Sequence, residues 1–194
     1  GVMNHMEPNR AAAMLASMDD KQRAANVIGE MESGKAMHLL GEMNREEAAN
    51  MLVTMRGHKA GRILNHIPAD QAIELLDKME ASGAARLLLE MEPARAMELI
   101  AQMDTERASE LLKLMNAEKV GLLLTKTNAE RVHAILAQFD SDKKTTIMSS
   151  MKPEKAAEVL KVMGPKYAAE TVSSMAVKSS VAVMEKLDKF SAGN

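Results

Sequence analysis

Residues 152–175 read "KPEKAAEVLKVMGPKYAAETVSSM" and contain the same twelve-residue pattern twice. Each half begins with a proline-containing turn, continues with two alanines and a mainly apolar pair, and ends in methionine. Outward from this stretch, the chain consists of fifteen such units after a partial unit that ends at Met6. Successive units are twelve residues long, except that the second holds one additional turn residue. The units end at Met18, Met31, Met43, Met55, Ile67, Met79, Met91, Met103, Met115, Thr127, Phe139, Met151, Met163, Met175 and Leu187. A period this regular indicates a repeat architecture.

We number the positions of a unit from 1 to 12, so that the closing methionine, or the residue that replaces it, is position 12. Position 5 is alanine in eleven of the fifteen units, and positions 8 and 9 are usually an apolar pair. Positions 5, 8, 9 and 12 have the spacing i, i+3, i+4 and i+7, which places them on one stripe of an α-helix. One continuous helix is excluded, because twelve residues make about 3.3 turns and the stripe would rotate by about a third of a turn per unit. Each unit therefore predicts one short amphipathic helix.

Residues that begin helices stand where one unit meets the next. Asparagine or aspartate precedes the helix in several units, and proline takes the first helical position in others. Asn44 and Glu47 also have the spacing of a capping box. The predicted N-caps are Asn44, Asp104, Asn116, Asn128 and Asp140, and the predicted first-position prolines are Pro8, Pro93, Pro153 and Pro165.

A single unit is too small to bury a stable core, so neighbouring helices must supply one another's contacts. We predict an all-α solenoid of about fifteen short helices over residues 1–194, in which alanine at position 5 permits close helix approach. Residues 176–194 are interpreted as a C-terminal capping helix and tail with a more polar outer face. The pattern weakens over residues 116–151, where Thr127 and Phe139 replace methionine. We interpret this as drift, with a bend or a partner site as alternatives.

Composition excludes several classes of function. Lysine and arginine number 25 and aspartate and glutamate 27, and the net charge of −2 gives no bulk attraction to nucleic acid or an anionic membrane. The absence of cysteine excludes disulfides and favours a reducing compartment, either the cytoplasm or an organelle interior. No apolar run reaches the length of a membrane span, and residues 1–10 lack the apolar segment of a signal peptide. Because a repeat unit begins before Met3, we expect a fragment or a processed product.

Methionine and histidine are the residues that could indicate a metal site. Eleven of the 19 methionines occupy position 12, so core packing is favoured over copper binding by thioethers. No two histidines have the i, i+4 spacing of a helical zinc site, and isolated surface histidines are the favoured interpretation. A nucleophile elbow, a phosphate-binding glycine loop and a carboxylate dyad are also missing from the sequence. We therefore expect no enzyme, no cofactor and no metal ligand. The histidines are His5, His38, His58, His66 and His133.

Position 4 carries a row of basic residues. It is basic in ten of the fifteen units, although a cation in the first turn of a helix is mildly unfavourable. In the structural interpretation, these side chains form i, i+3 pairs such as Arg95 with Glu98 and reach C-terminal carbonyls of the preceding helix. In the functional interpretation, six consecutive members form a stripe that binds an acidic partner or lipid headgroups, and we call them the basic row. The basic row consists of Arg95, Arg107, Lys119, Arg131, Lys143 and Lys155.

Four segments resemble a known family. "PADQAIELLDKME", "PARAMELIAQMD", "AERVHAILAQFD" and "PEKAAEVLKVMGP" are similar to the intracellular N-terminal domain of MgtE-type magnesium transporters. The resemblance covers essentially the whole chain and implies a right-handed superhelix of short helices that mediates protein contacts. The same helical repeat occurs in flagellar rotor and stator-associated proteins. Methionine dominates here where the family more often uses leucine.

The favoured function is a non-enzymatic scaffold for protein–protein interaction, acting as a structural or stabilising subunit of a larger assembly. Its partners would be other protein subunits. Nucleic acid is not expected, since no aromatic residues interleave with the cations, and peripheral association with a membrane complex stays open. The resemblance leaves two alternatives. One is a Mg²⁺-sensing regulatory domain of a magnesium transporter or channel, and the other is a chaperone-like protein of the flagellar motor.

Overall fold

A computed structural model describes the backbone of residues 7–56 and 58–192 and the side chains of these ranges up to residue 188. Within them the chain forms fifteen α-helices, one short 3-10 helix (Leu124–Lys126) and no strand. The helices are α1 Pro8–Ala16, α2 Lys21–Gly29, α3 Ser33–Gly41, α4 Arg45–Thr54, α5 Lys59–Leu64, α6 Ala69–Asp77, α7 Ala81–Glu90, α8 Pro93–Gln102, α9 Thr105–Lys113, α10 Ala117–Leu123, α11 Ala129–Leu136, α12 Ser141–Ser150, α13 Pro153–Met163, α14 Pro165–Ser174 and α15 Val177–Ala192. The prediction of one short helix for each unit is confirmed.

The predicted residues begin the helices. All five predicted asparagine and aspartate caps accept a hydrogen bond from the backbone amide three residues later, over 2.8–3.3 Å. Asp20 caps α2 in the same way, with 2.9 Å to the amide of Arg23. The four predicted prolines are the first residues of α1, α8, α13 and α14. In the capped helices, a side-chain oxygen that accepts from a free amide fixes the residue at which the helix starts.

The chain divides into two compact units, Gly1–Leu99 and Ile100–Asn194. Within the first, α1 packs on α3, α2 on α4, α3 on α5, α4 on α6 and α5 on α7. Within the second, the same rule joins α9 to α11, α10 to α12, α11 to α13, α12 to α14 and α13 to α15. Most helices thus pack against the helix two places along, whereas α14 also packs on its neighbour α13, and the array is a helical repeat of single helices. One solenoid over residues 1–194 and its right-handed sense stay predictions.

Small residues permit the close approach of these helices. Alanine at position 5 is buried in every described unit from Ala11 to Ala108. Glycine at position 6 brings two pairs closer still: a Cβ on Gly61 of α5 would lie 2.6 Å from the carbonyl oxygen of Glu90 in α7. A Cβ on Gly121 of α10 would lie 2.6 Å from the hydroxyl oxygen of Ser150 in α12. These glycines are therefore required by packing rather than by backbone conformation.

Two parts of the sequence depart from the simple repeat. In residues 116–151, Thr127 and Phe139 are buried in the place of methionine, and α10 to α12 continue the array. At the C-terminal end, α15 is a sixteen-residue helix. Its exposed side chains include Val177, Val181 and Met184. Lys178, Glu185 and Asp188 of the same helix are exposed as well, and the capping role of residues 176–194 stays a prediction.

Candidate protein-interaction surface

Positions 8 and 9 of the repeat face in opposite directions along the chain. Position 9 is at most 1% exposed in every helix from α1 to α13, yet it is half-buried at Val172 in α14 and 51% exposed at Met184 in α15. Position 8 shows the reverse: it is 42% exposed at Met14 in α1, half-buried at Val27 in α2 and buried in every later helix. If a position is buried in all helices except those near one end of the chain, then the helices that bury it lie toward that end. Position 9 therefore packs toward following helices and position 8 toward preceding ones.

The last two helices expose the side that elsewhere holds the next helix. Position 6 lies on this side, where it is buried as Ala157 in α13 but exposed as Ala169 in α14 and as Val181 in α15. Along α15, Val177, Val181 and Met184 have the spacing i, i+4 and i+7, so they form one stripe of the helix. Val177 is 78% exposed. We call this face of α14 and α15 the tail face.

The first two helices expose the opposite side. Met14 and Val27, at position 8 of α1 and α2, lack the cover that buries position 8 from α3 onward. The position-4 cations Arg10 and Arg23 are exposed on the same helices. We call this face of α1 and α2 the head face.

The basic row lies mostly within the packed array. Lys119 is exposed, and the other five members are half-buried. The expected i, i+3 pairs are present: Arg95 with Glu98 at 2.6 Å, Arg107 with Glu110 at 2.6 Å and Lys155 with Glu158 at 3.1 Å. Arg95 belongs to the first compact unit and the other members to the second. Binding of a partner by this row stays a prediction.

In several helices, a cation reaches the end of the helix three places earlier. Arg131 of α11 donates to the carbonyl oxygen of Ile100 in α8, over 3.4 Å, and Lys143 of α12 to that of Lys113 in α9, over 2.6 Å. Arg95 of α8 donates to the carbonyl of Ile67, which follows α5. The last carbonyls of a helix have no partner within it and carry partial negative charge, so a cation stabilises them. The prediction that these cations reach the preceding helix is thus wrong, since the carbonyls belong to an earlier one.

Position 7 provides the same link in two helices. Arg62 of α5 donates to the carbonyl of Gly29 in α2, over 3.0 Å. Arg86 of α7 donates to the carbonyl of Val53 in α4, over 2.7 Å, where position 4 is Gly83. Periodicity alone could not identify these contacts, although long cations at positions 4 and 7 lie on one side of a helix.

Two exposed carboxylates are held by ion pairs between helices. Lys59 of α5 pairs with Glu30 at the end of α2, and the hydrogen bond from Lys59, followed by its charge, lowers the pKa of Glu30. Lys186 of α15 lies 2.5 Å from Glu154 of α13. That hydrogen bond is the main cause that lowers the pKa of Glu154, and its own backbone amide contributes next. The ion pair of Lys186 with Glu154 therefore links α15 to α13, the helix on which it packs.

Histidines and acidic residues do not converge on a metal site within the described part of the chain, where no group of three or more has that geometry. His38, His58 and His66 are exposed and His133 is half-buried, whereas His5 lies outside the described residues. The described methionines at position 12 are buried from Met43 to Met175, which places their sulfur atoms in the core rather than in an open site.

Two open cavities lie on the first compact unit. One of ≈ 380 Å³ lies between α1, α3 and α4, and one of ≈ 290 Å³ lies between α3, α4 and α6. Glu42 borders both. Ser17, which borders the larger cavity, donates its hydroxyl to the carbonyl of Met14 over 2.9 Å rather than to a base. Neither cavity brings a nucleophile and a base together among its lining residues.

These observations define a class: an all-α repeat of short single helices, most of which pack on the helix two places along. The chain belongs to the family described as the MgtE intracellular N domain, whose model matches residues 1–76, 55–123 and 115–193. The suspected family is thereby confirmed over nearly the full length. No curated protein and no solved structure matches the chain in these comparisons. Among the described residues, none of the helices combines the length and the apolar character needed to cross a bilayer.

Proposed function

We propose that the chain is a non-enzymatic helical-repeat module that binds other protein subunits through its tail face. One observation carries this proposal: position 9 is closed from α1 to α13 and open at Val172 and Met184. An apolar position that is buried in thirteen units, half-buried at Val172 and exposed at Met184 marks a place where another helix fits.

The tail face has the chemistry of a helix-binding surface. Val177, Val181 and Met184 present a stripe at the spacing by which an amphipathic helix recognises a partner. Methionine adds a flexible thioether that adapts to the shape of a partner. The face therefore suits an α-helix with its own apolar stripe, as in a structural or stabilising subunit of a larger assembly.

The test compares partners captured by two charge-balanced double variants. Val181→Glu with Met184→Lys disrupts the tail face, and Leu122→Glu with Leu114→Lys changes two exposed apolar residues elsewhere in the same compact unit. Each chain is used to capture subunits from the native source, followed by quantitative mass spectrometry. We expect a stoichiometric subunit that the wild type and the control retain and the tail-face variant loses. Equal capture by all three chains would argue against the tail face.

The family match favours a second candidate, a Mg²⁺-sensing regulatory domain of a magnesium transporter or channel. Ligand that binds the folded state raises its stability by mass action. Reversible stabilisation of the melting transition by millimolar Mg²⁺, absent without divalent ions and not reproduced by Ca²⁺, supports this function. A melting curve that Mg²⁺ does not move counts against it. The flagellar alternative stays a prediction.

The basic row is a third, narrower proposal for the surface that captures an acidic partner. Lys119 is its exposed member, so Lys119→Glu changes the charge presented to a partner without breaking a helix contact that the structure shows. Loss of an acidic partner in this variant supports the row as a docking site. If Lys119→Glu captures the acidic partner as well as the wild type does, the basic row acts only in contacts between helices.

A further inference from the structure

We infer that the tail face of one chain binds the head face of a second copy of this chain. The inference rests on the proposed function, because it names the occupant of the tail face. Its basis is that the two faces are the two halves of one contact, which the chain makes repeatedly within itself.

The apolar parts of the two faces have matching positions. Inside each compact unit, position 8 of a helix packs toward earlier helices and position 9 toward later ones. On the tail face, position 9 is exposed at Met184 and half-buried at Val172, and on the head face, position 8 is exposed at Met14 and half-buried at Val27. If α1 and α2 of a second copy follow α15, these four side chains come together in the register that the array already uses. Both kinds of exposed position are then covered at once.

The charges of the two faces also match. Within the array, cations at positions 4 and 7 donate to the C-terminal carbonyls of the helix three places earlier. For the head face of a second copy, that helix is α13 for Arg10 and α14 for Arg23. Both arginines are exposed, and the ends of α13 and α14 carry the partial negative charge of helix C-termini. Arg10 and Arg23 of the second copy would thus lie at the C-termini of α13 and α14, which carry partial negative charge.

This contact is heterologous, because two different faces meet. Each chain that binds at its tail face still presents a free tail face on its partner, so assembly can continue beyond two copies. A symmetric contact between two tail faces would match position 9 with position 9 and would leave the head face, with Arg10 and Arg23, uncovered. The geometry therefore favours head-to-tail association.

Sedimentation velocity over a concentration series tests this inference. We expect the wild-type chain, of 21.1 kDa, to form species of two and more copies as its concentration rises. Val181→Glu with Met184→Lys blocks the tail face, and Arg10→Glu with Arg23→Glu blocks the head face. Each double variant should weaken association roughly tenfold or more, since each removes central contacts of a small interface. The control Lys78→Glu with Lys126→Glu has the same net charge as the head-blocked chain and should assemble like the wild type.

A mixture of the two blocked chains gives the decisive measurement. The tail-blocked chain keeps its head face and the head-blocked chain keeps its tail face, so the mixture should form a one-to-one pair and grow no further. Circular dichroism verifies that each variant keeps its helical content. A wild type that stays monomeric at every concentration overturns the inference. So do a head-blocked chain that assembles normally, which indicates tail-to-tail contact, and a mixture that forms no pair.

These outcomes separate the inference from the proposed function. A monomeric chain whose tail face still captures a foreign subunit refutes self-assembly and keeps the protein-binding function. A monomeric chain whose tail-face variant also captures the same subunits as the wild type refutes both.

Discussion

The guanidinium of Arg86 donates a hydrogen bond of 2.7 Å to the carbonyl oxygen of Val53, thirty-three residues earlier in the chain. Its other amino group lies 2.8 Å from the carboxylate of Glu90, one turn later on its own helix. The side chain of Arg86 thus satisfies a carbonyl at the C-terminal end of α4, and Glu90 of its own helix, α7, holds it in place. Contacts of this kind recur at Arg62, Arg131 and Lys143. In each of these contacts, a cation joins two short helices that lie three places apart along the chain.

Replacing Arg86 by methionine tests this role. Arg86→Met keeps the apolar stem but removes the bond to Val53 and leaves the carboxylate of Glu90 without this partner. We expect the free energy of unfolding to fall by about 1 kcal/mol, since a charge-assisted bond to a partly exposed arginine is worth little more. Urea unfolding followed by circular dichroism measures the shift. Arg56→Met, at an exposed position between α4 and α5, should leave the midpoint unchanged; an equal shift in both variants would argue against the link.

Gly61 and Gly41 offer a matched test of close packing. The Cβ of Gly61→Ala would lie 2.6 Å from the carbonyl oxygen of Glu90, which belongs to backbone and cannot rotate away. Around Gly41, at the end of α3, no atom lies within 4 Å of an added Cβ. We expect Gly61→Ala to destabilise the protein by about 1–3 kcal/mol, because α5 and α7 must separate.

Gly41→Ala serves as the control for helix propensity. Alanine favours the helix over glycine by up to about 1 kcal/mol, so this variant should be as stable as the wild type or slightly more stable. Thermal melting of the two variants gives the comparison. If Gly61→Ala melts at or above the wild-type temperature, the close contact between α5 and α7 is not required.

Much of the fold follows from the sequence because its determinants are local. Caps such as Asn128 and pairs such as Arg95 with Glu98 involve residues three apart, and helix geometry alone brings them together. Partners such as Ile100 for Arg131 lie about thirty residues apart. Their meeting depends on how helices three places apart are arranged, which a period of twelve does not determine.

The tail face and the head face could not be predicted from the sequence either. Met184 occupies position 9 and looks like any other core residue of the repeat, and only the absence of a covering helix in the described chain distinguishes it. The exposed stripe on α15 shows that side chains at the last helices keep the pattern of internal ones.

Arg131 and Lys119 separate the structural role of the basic row from its proposed docking role. Arg131 donates 3.0 Å to the hydroxyl of Thr105 and reaches the carbonyl of Ile100. Arg131→Glu places a carboxylate beside that carbonyl, so the second compact unit should unfold at a lower urea concentration, with a loss of about 1–3 kcal/mol. Lys119→Glu should unfold as the wild type does, because its side chain is exposed. Equal stability of both variants would show that the row does not hold helices together.

The ion pair of Lys186 with Glu154 makes the attachment of α15 depend on pH. The hydrogen bond from Lys186 holds the pKa of Glu154 below its ordinary value of 4.5. A carboxyl group whose pKa is lower in the folded state stabilises that state fully above the ordinary value, and the stabilisation is lost as the pH falls through the folded pKa. The contact of α15 with α13 should therefore weaken on acidification. NMR titration of the Glu154 carboxyl carbon should show the lowered pKa, and Lys186→Met should raise it toward the ordinary value.

Amide hydrogen exchange in α15 provides the matching measurement of stability. At about pH 6 the wild type should protect α15 better than Lys186→Met does, and the difference should disappear once the pH has fallen below the folded pKa of Glu154, because the carboxyl group is then protonated. Lys178→Met removes an exposed cation from the same helix and should change neither the pKa of Glu154 nor the protection. A difference between wild type and Lys186→Met that persists at low pH would assign the effect to the packing of the lysine stem rather than to its charge. Loss of that difference on acidification, in contrast, assigns the attachment of α15, and with it the presentation of the tail face, to the ion pair.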